Sequence, residues 1–340
     1  MLIHCPYARP DRGLKAKVKR AILLLLISMS LSLLTACSGS GIIEISEPEQ
    51  RNFALVVKTM NDDYWNTVRM GAEAAAKEFN VKITFLAPEH EKDVQQQVEY
   101  TDQALKLGVD AIILAASDYM ALGQVVDQAS YYHIPVISID SEVGSTKVQS
   151  YIGTNSYQMG RTAGQELVKL MNGKGKVGVM SFVQGARNAE QREEGLMDLF
   201  SRYDGIEVAE TAYCYSDSEL AYELTLRMLA KHPDLQGIVS LNSISSLGVA
   251  RAVKDADAGR AIRVVTIDST PELMGYLQDE VIGAAVVQNP FTMGYLGVKY
   301  AAEALQGSDI PERVETEAKV IDLHNMFWPE NQKLLFPFVK

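Results

Sequence analysis

Cysteine is scarce in this 340-residue chain: Cys5, Cys37 and Cys214 are the full set. Such a small set builds no disulfide framework, so the fold must stand on a hydrophobic core. Histidine is as sparse. His4, His90, His133, His232 and His324 are scattered and none is paired at metal-ligand spacing, so neither zinc nor a catalytic metal is expected. There is no G-x-S-x-G nucleophile turn and no Cys/His pairing around Cys214, so covalent hydrolysis lacks its parts. One G-x-G-x-x-G is present, Gly173 to Gly178. It leads into an apolar strand instead of out of one into a helix, which removes it as a phosphate cradle. No cofactor is implied.

Positive charge is also in deficit, with 32 Lys and Arg against 43 Asp and Glu. Residues 1–36 hold six of the basic groups and one acidic, leaving 26 against 42 in the remainder, a net charge of −16. So negative a surface is repelled by phosphate backbones and anionic headgroups, which excludes nucleic acid and a peripheral electrostatic membrane contact. No apolar run reaches the ~20 residues that a spanning helix needs.

What is present begins with the N-terminus. Lys15, Lys17, Lys19 and Arg20 precede the apolar run Ala21 to Leu34, the layout of an export signal. The run stops at Leu34-Thr35-Ala36-Cys37, which resembles a lipobox, with Cys37 acylated as the first mature residue. The alternative, a short anchor helix with an incidental cysteine, fails on length. Two or three acyl chains hold a protein stably on a membrane where one does not. Residues 1–36 are therefore expected to be a lipoprotein signal and 37–49 a flexible spacer. The mature protein would sit on the extracytoplasmic face of a membrane, at the cell surface or in the periplasm. About 304 residues remain, enough for two domains.

From Phe53 onward, apolar runs of strand length alternate with amphipathic helical patterns. Strand candidates are 53–57, 81–86, 111–115, 136–139, 151–153, 177–182, 206–209, 237–241, 264–267 and 283–287, with helices filling the gaps. Continuous apolar strands between helices predict parallel sheets covered on both faces, about five units before residue 155 and five after. An internal echo supports the division. Ala111 to Gly123 resembles Gly237 to Gly248, and the next strand of each half ends in an aspartate, Asp140 and Asp268. Two similar α/β lobes of doubly wound type, facing each other, would aim both aspartates at one cleft.

Asn61-Asp62-Asp63-Tyr64-Trp65 follows the first strand and opens a helix. Asp62 or Asp63 reads either as an N-cap or, beside two flat rings, as part of a sugar platform, because sugar faces are apolar C–H surfaces and their edges hydroxyls. Asp140, Asn242, Asp268 and Gln288 stand just past strand ends, where they would accept and donate at those edges. Arg192 supplies a planar donor fork, and Lys58, at the end of the first strand, is a candidate second cation. General acid–base work by the aspartates, as in a glycosidase, is the weaker reading. No enzymatic activity is expected.

On these residues the chain resembles a type I periplasmic binding protein of the ribose and galactose class, the monosaccharide receptors of ABC importers. The similarity runs from about Phe53 to about Leu323. It includes Val56-Val57-x-Thr59-x-Asn61, Gln191-Arg192-Glu-Glu-Gly195, His232-Pro233-Asp234, Ile267-Asp268-x-Thr270-Pro271 and Ala285-Val-Val-Gln288. The resemblance implies stacking aromatics at Tyr64 and Trp65, and hydroxyl-binding groups at Asp140, Arg192, Asn242, Asp268 and Gln288. Asp62 stands where asparagine is usual and Ser141 where arginine is usual. The second-domain aromatic has no clear counterpart, with Tyr213, Tyr215 and Ser216 nearby.

The resemblance further implies an N-terminal lobe of 50–155 and 289–317, a C-terminal lobe of 156–288 and 318–340, and a three-segment hinge near 154–156, 287–289 and 316–318. A monomeric receptor would close on a ligand held between Asp62, Tyr64, Trp65 and Asp140 on one side and Arg192, Asn242 and Asp268 on the other, with Gln288 at the hinge. Three carboxylates favour a donor-rich neutral sugar or polyol, or an amino sugar, over a phosphorylated or acidic one. The expected partner is an ABC permease, or alternatively a membrane sensor kinase. A sugar-responsive repressor would need a DNA-binding segment where residues 1–52 hold a signal and a spacer.

Overall fold

The computed structural model describes residues 50–60, 62–256 and 262–336. Cys37, Asn61 and the expected signal and spacer lie outside the described residues. Among those residues the elements run β1 (Asn52–Val56), α1 (Asp63–Glu78), β2 (Lys82–Leu86), α2 (Val94–Lys106), β3 (Ala111–Leu114), α3 (Tyr119–Tyr131), β4 (Val136–Ile139) and β5 (Ser150–Thr154). Then come α4 (Ser156–Leu170), β6 (Gly175–Ser181), α5 (Arg187–Phe200), β7 (Ile206–Tyr213), α6 (Ser218–Lys231), β8 (Leu235–Ser240), α7 (Ser243–Asp255), β9 (Arg263–Ile267), α8 (Pro271–Gln278) and β10 (Ala284–Val287). The chain continues through α9 (Pro290–Leu305), β11 (Arg313–Thr316), β12 (Lys319–Ile321) and α10 (Pro329–Leu335).

Two six-stranded sheets result, ordered β11-β5-β4-β3-β1-β2 and β12-β10-β9-β8-β6-β7. The orders are the same once the halves are overlaid, as the internal echo predicts. The first sheet is parallel throughout, while in the second β12 runs antiparallel to β10 at the edge. The chain passes from the first sheet to the second after β5, returns after β10, and leaves again after β11.

The unbroken apolar character of β1 has a direct cause. Successive side chains of a strand point to opposite faces. Phe53, Leu55 and Val57 join a core with Val68 and Ala72 of α1 and Met293 and Val298 of α9. Ala54 and Val56 join a separate core with Leu105 of α2 and Val125 of α3. Both faces are dry, so no alternation survives in the sequence. The second lobe has a single large core around β6, β8, β9 and β10.

Strand β7 is longer than the 206–209 expected. It is an edge strand whose Glu207 and Glu210 interrupt the apolar pattern. The short strands β11, in which exposed and partly buried residues alternate, and β12, only three residues long, give no apolar run of strand length.

Helix pairs in both lobes close on glycine. A Cβ on Gly71 of α1 would lie 2.0 Å from the Phe291 carbonyl oxygen, and one on Gly294 of α9 would lie 1.9 Å from that of Val68. The second lobe repeats the device with Gly160 of α4 and Gly195 of α5, whose Cβ atoms would meet the carbonyls of Arg192 and Tyr157 at 1.9 and 2.0 Å.

Candidate functional site

The carboxyl ends of both sheets converge on a small cavity of about 20 Å³ between the lobes. Asp140 and Asp268 enter it by the same local geometry. Each follows a strand, β4 or β9, and each donates its backbone N–H to the neighbouring strand, to Ile152 O at 3.0 Å and Val286 O at 2.9 Å. Each then turns into the left-handed region, at φ 61° and 73°. Few non-glycine residues adopt this conformation, and aspartate is among the few that tolerate it. Such strain persists only where surrounding structure enforces it and is concentrated at functional sites.

The first lobe supplies an acidic wall and two rings. Asp62 is the N-cap of α1, its Oδ1 accepting from Tyr64 N at 3.2 Å, while its Oδ2 accepts from the Ser243 hydroxyl of the second lobe at 3.0 Å. The cap and the cavity wall are therefore one residue. Tyr64 and Trp65 meet edge to face with centroids 5.0 Å apart, and the Tyr64 hydroxyl donates to Asp140 Oδ1 at 2.8 Å. Asp63 is exposed. Lys58 is 1% exposed, its ammonium 3.4 Å from Asp140 Oδ2 and 3.3 Å from Glu91 Oε1. It also donates to Asn188 Oδ1 across the cleft at 3.0 Å, and Asn188 in turn donates to Asp140 Oδ2 at 3.0 Å. Lys58, Asn188 and Asp140 thus form a triangle spanning both lobes.

The second lobe answers with a cation, a ring and amides. Arg192, 1% exposed, donates to the Leu241 carbonyl at 2.7 Å and stands 3.9 Å from Asp268 Oδ2; its Nε has no hydrogen-bond partner. Phe182, one residue past β6, lies beneath both cations, 5.6 Å from the Arg192 guanidinium and 5.8 Å from the Lys58 ammonium. Gln288 donates to Asp268 Oδ1 at 2.8 Å, leaving its own Oε1 buried without a donor. Asn242 caps α7 through a capping box, and its amide nitrogen donates to Ser216 Oγ at 2.9 Å.

A family model described as a periplasmic binding protein domain matches residues 53–309. The chain belongs to the periplasmic binding protein family. Among curated members, the ribose import binding protein of Bacillus subtilis is 24% identical over 315 residues, covering 89% of this chain and 99% of that protein. The D-ribose/D-allose-binding protein of Pseudomonas aeruginosa is 27% identical over 304 residues, covering 85% and 95%. A solved solute binding protein of an Agrobacterium vitis ABC transporter, with bound D-fucose, matches at a TM-score of 0.82 and 30% identity, over 84% of this chain and 100% of its own. One from Agrobacterium radiobacter, in complex with D-arabinose, matches at 0.82 and 28%, over 84% and 99%. All four are named as binding proteins, none as an enzyme.

In this member of the family the cleft carries more negative charge than positive. Asp62, Glu91, Asp140 and Asp268 line it against Lys58 and Arg192. Burial pushes the Asp62 carboxyl up to about 7; the Tyr64 N–H and the Ser243 hydroxyl oppose the rise, and the charges of Asp268 and Glu91 add to it. Burial likewise raises Asp268 to about 6 against the pull of Arg192 and Gln288. Desolvation beside Asp140 and Asp268 drives the Tyr64 phenol well above its ordinary value, so it stays a donor.

The structure brings together Lys58, Asp62, Tyr64, Trp65, Asp140, Arg192, Asn242 and Asp268 at the cavity, with Gln288 behind Asp268. Ser141 is buried but does not line it. Tyr215 is 41% exposed and does not line it, while its neighbour Ser216 bonds to Asn242 and Glu91, which do. Asn61 lies outside the described residues. Sequence reasoning missed Glu91, Phe182, Asn188 and Ser243. All four follow the carboxyl end of a strand, which is the signal that would have found them. Phe182 also gives the second lobe the ring that Tyr213 and Tyr215 do not provide.

Proposed function

We propose that this protein is an extracytoplasmic receptor that closes its two lobes on a monosaccharide or related polyol and delivers it to an ABC importer, without catalysing a reaction. The observation that carries this reading is the cavity itself. Both lobes contribute hydrogen-bonding groups to it, Asp62, Asp140 and Lys58 from one and Arg192, Asn188 and Asp268 from the other, alongside the rings of Tyr64, Trp65 and Phe182. A ligand touching both walls stabilises the closed arrangement through its differential affinity for that state. The hinge is assigned to residues 154–156, 287–289 and 316–318, where the chain passes between the sheets.

Ribose, allose, arabinose and fucose, the sugars named for the relatives, define the chemical class: neutral, rich in hydroxyl donors, with apolar faces. Carboxylates that outnumber cations accept donors and repel anions, so phosphorylated and acidic sugars are excluded. The site-binding residues are Asp62, Tyr64, Trp65, Asp140, Arg192, Asn242, Asp268 and Gln288, with Lys58 as second cation. No helix among the described residues is long and apolar enough to cross a membrane, and attachment is assigned to the acylated Cys37. A thermal-shift screen of pentoses, hexoses, deoxy sugars and inositols tests the reading, since a ligand that binds only the native state raises the melting point. A neutral sugar is expected to raise it; stabilisation by sugar phosphates alone would refute the proposal.

A further inference from the structure

Glu91 is a charged residue that the resemblance assigns to nothing. It sits in the loop between β2 and α2 of the first lobe, 3% exposed, on the wall of the cavity. Its Oε2 accepts from the hydroxyl of Ser216, which reaches across from the second lobe. Ser216 is held for this contact by the Asn242 amide and by a backbone in which both Tyr215 and Ser216 have φ of 53°. Two consecutive left-handed non-glycine residues are costly and call for a compensating role. The other carboxylate oxygen, Oε1, lies 3.3 Å from the Lys58 ammonium yet accepts no hydrogen bond, although it is buried. An ionised carboxylate has room for several donors, and one left short inside a protein costs free energy.

We propose that Glu91 is a specificity-determining ligand contact, its Oε1 accepting a hydroxyl of the bound sugar. Lys58 is ion-paired with Oε1 and Ser216 orients the carboxylate through Oε2, so that Oε1, with no hydrogen bond of its own, presents a fixed acceptor. This inference rests on the receptor reading and deepens it: the ligand class narrows to sugars that carry a hydroxyl at the Glu91 end of the cavity. A site built to bond a hydroxyl rejects the analogue lacking it, because its own polar group is then left unpaired. The ligand therefore has a hydroxyl there and not a methyl or methylene.

The test is a cycle of calorimetric titrations. D-ribose, D-allose, D-arabinose and D-fucose are titrated into the parent protein; the tightest binder and each of its monodeoxy analogues are then titrated into the parent, Glu91→Ala, Glu91→Gln and Ser216→Ala. In the parent, loss of one hydroxyl is expected to weaken binding by about tenfold or more. In Glu91→Ala the penalty for that one hydroxyl should vanish while penalties at the other positions persist. Ser216→Ala, which removes the cross-lobe bond but keeps the carboxylate, should weaken all the sugars alike and preserve the pattern. Glu91→Gln keeps the shape of the side chain and should show the same selective change should the alanine variant fail to fold. An unchanged hydroxyl pattern in both Glu91 variants would overturn this proposal alone. A parent that binds none of the four, nor any neutral sugar or polyol of the thermal-shift screen, would overturn the receptor reading and this contact with it.

Discussion

Gly160 of α4 and Arg192 of α5 meet so closely that a Cβ on the glycine would stand 1.9 Å from the arginine's carbonyl oxygen. The helix that carries the buried cation is therefore set by the absence of a side chain on its neighbour. Gly160→Ala must push α5 outward. The cost of overpacking, about 1–3 kcal/mol, outweighs the roughly 1 kcal/mol that alanine gains in helix propensity. A lower melting temperature is expected, together with weaker sugar binding as the guanidinium shifts. Differential scanning calorimetry and titration of the same sample check both; unchanged affinity in a destabilised variant would separate the packing contact from the site.

Asp268 and Arg192 face each other at 3.9 Å, both nearly sealed from solvent. Asp268→Asn and Arg192→Ala should each weaken binding by roughly 2–5 kcal/mol, much of it the penalty of leaving the other charge buried without its partner. Asp63, one residue from the cap and exposed, gives the contrast: Asp63→Asn should stay within about 1 kcal/mol. Full affinity in Asp268→Asn would remove that residue from the binding surface.

The raised carboxyls make stability depend on pH with a definite sign. Asp62 titrates near 7 and Asp268 near 6 in the folded protein, against an ordinary value of 3.8. Between about pH 4 and pH 7 the native state therefore holds protons that the unfolded chain has released. Their contribution is fully present below pH 3.8 and is lost as pH rises through the folded values. Each group adds a slope of at most about 1.4 kcal/mol per pH unit within its window. The difference in urea-unfolding free energy between the parent and Asp62→Asn should thus change steadily from pH 4 to pH 7 and flatten above it. A difference that is level across the window would show that Asp62 is not buried as a carboxyl.

Lipid attachment through Cys37 is tested by Cys37→Ala in cells of the source type. The parent should partition with the membrane fraction and incorporate a labelled fatty acid, and the variant should do neither. Equal membrane association of the two proteins would point to another anchor.

What could be read from the sequence was what is local. Alternating apolar runs and amphipathic patterns gave the strands and helices, because a strand buried on both faces must be continuously apolar and a helix on a sheet must not be. The echo between 111–123 and 237–248 marked two lobes, and Asp140 and Asp268 stood out because each ends an apolar strand. Tertiary structure alone decided the rest. Glu91 and Phe182 stand in loops and Asn188 in the first turn of α5, none with a periodic pattern that singles it out, and they become neighbours of Lys58 and Arg192 only when the carboxyl ends of two sheets converge. Lys58 and Asn188 are 130 residues apart, and nothing in either segment encodes the other. The close helix pairs at Gly71 with Gly294 and Gly160 with Gly195 were equally hidden, since a glycine inside a helical pattern reads as a weakness until a neighbouring backbone is seen to fill its place. Local periodicity follows from which faces are dry, whereas a site assembled across a cleft follows from the order of the strands and the closure of the lobes.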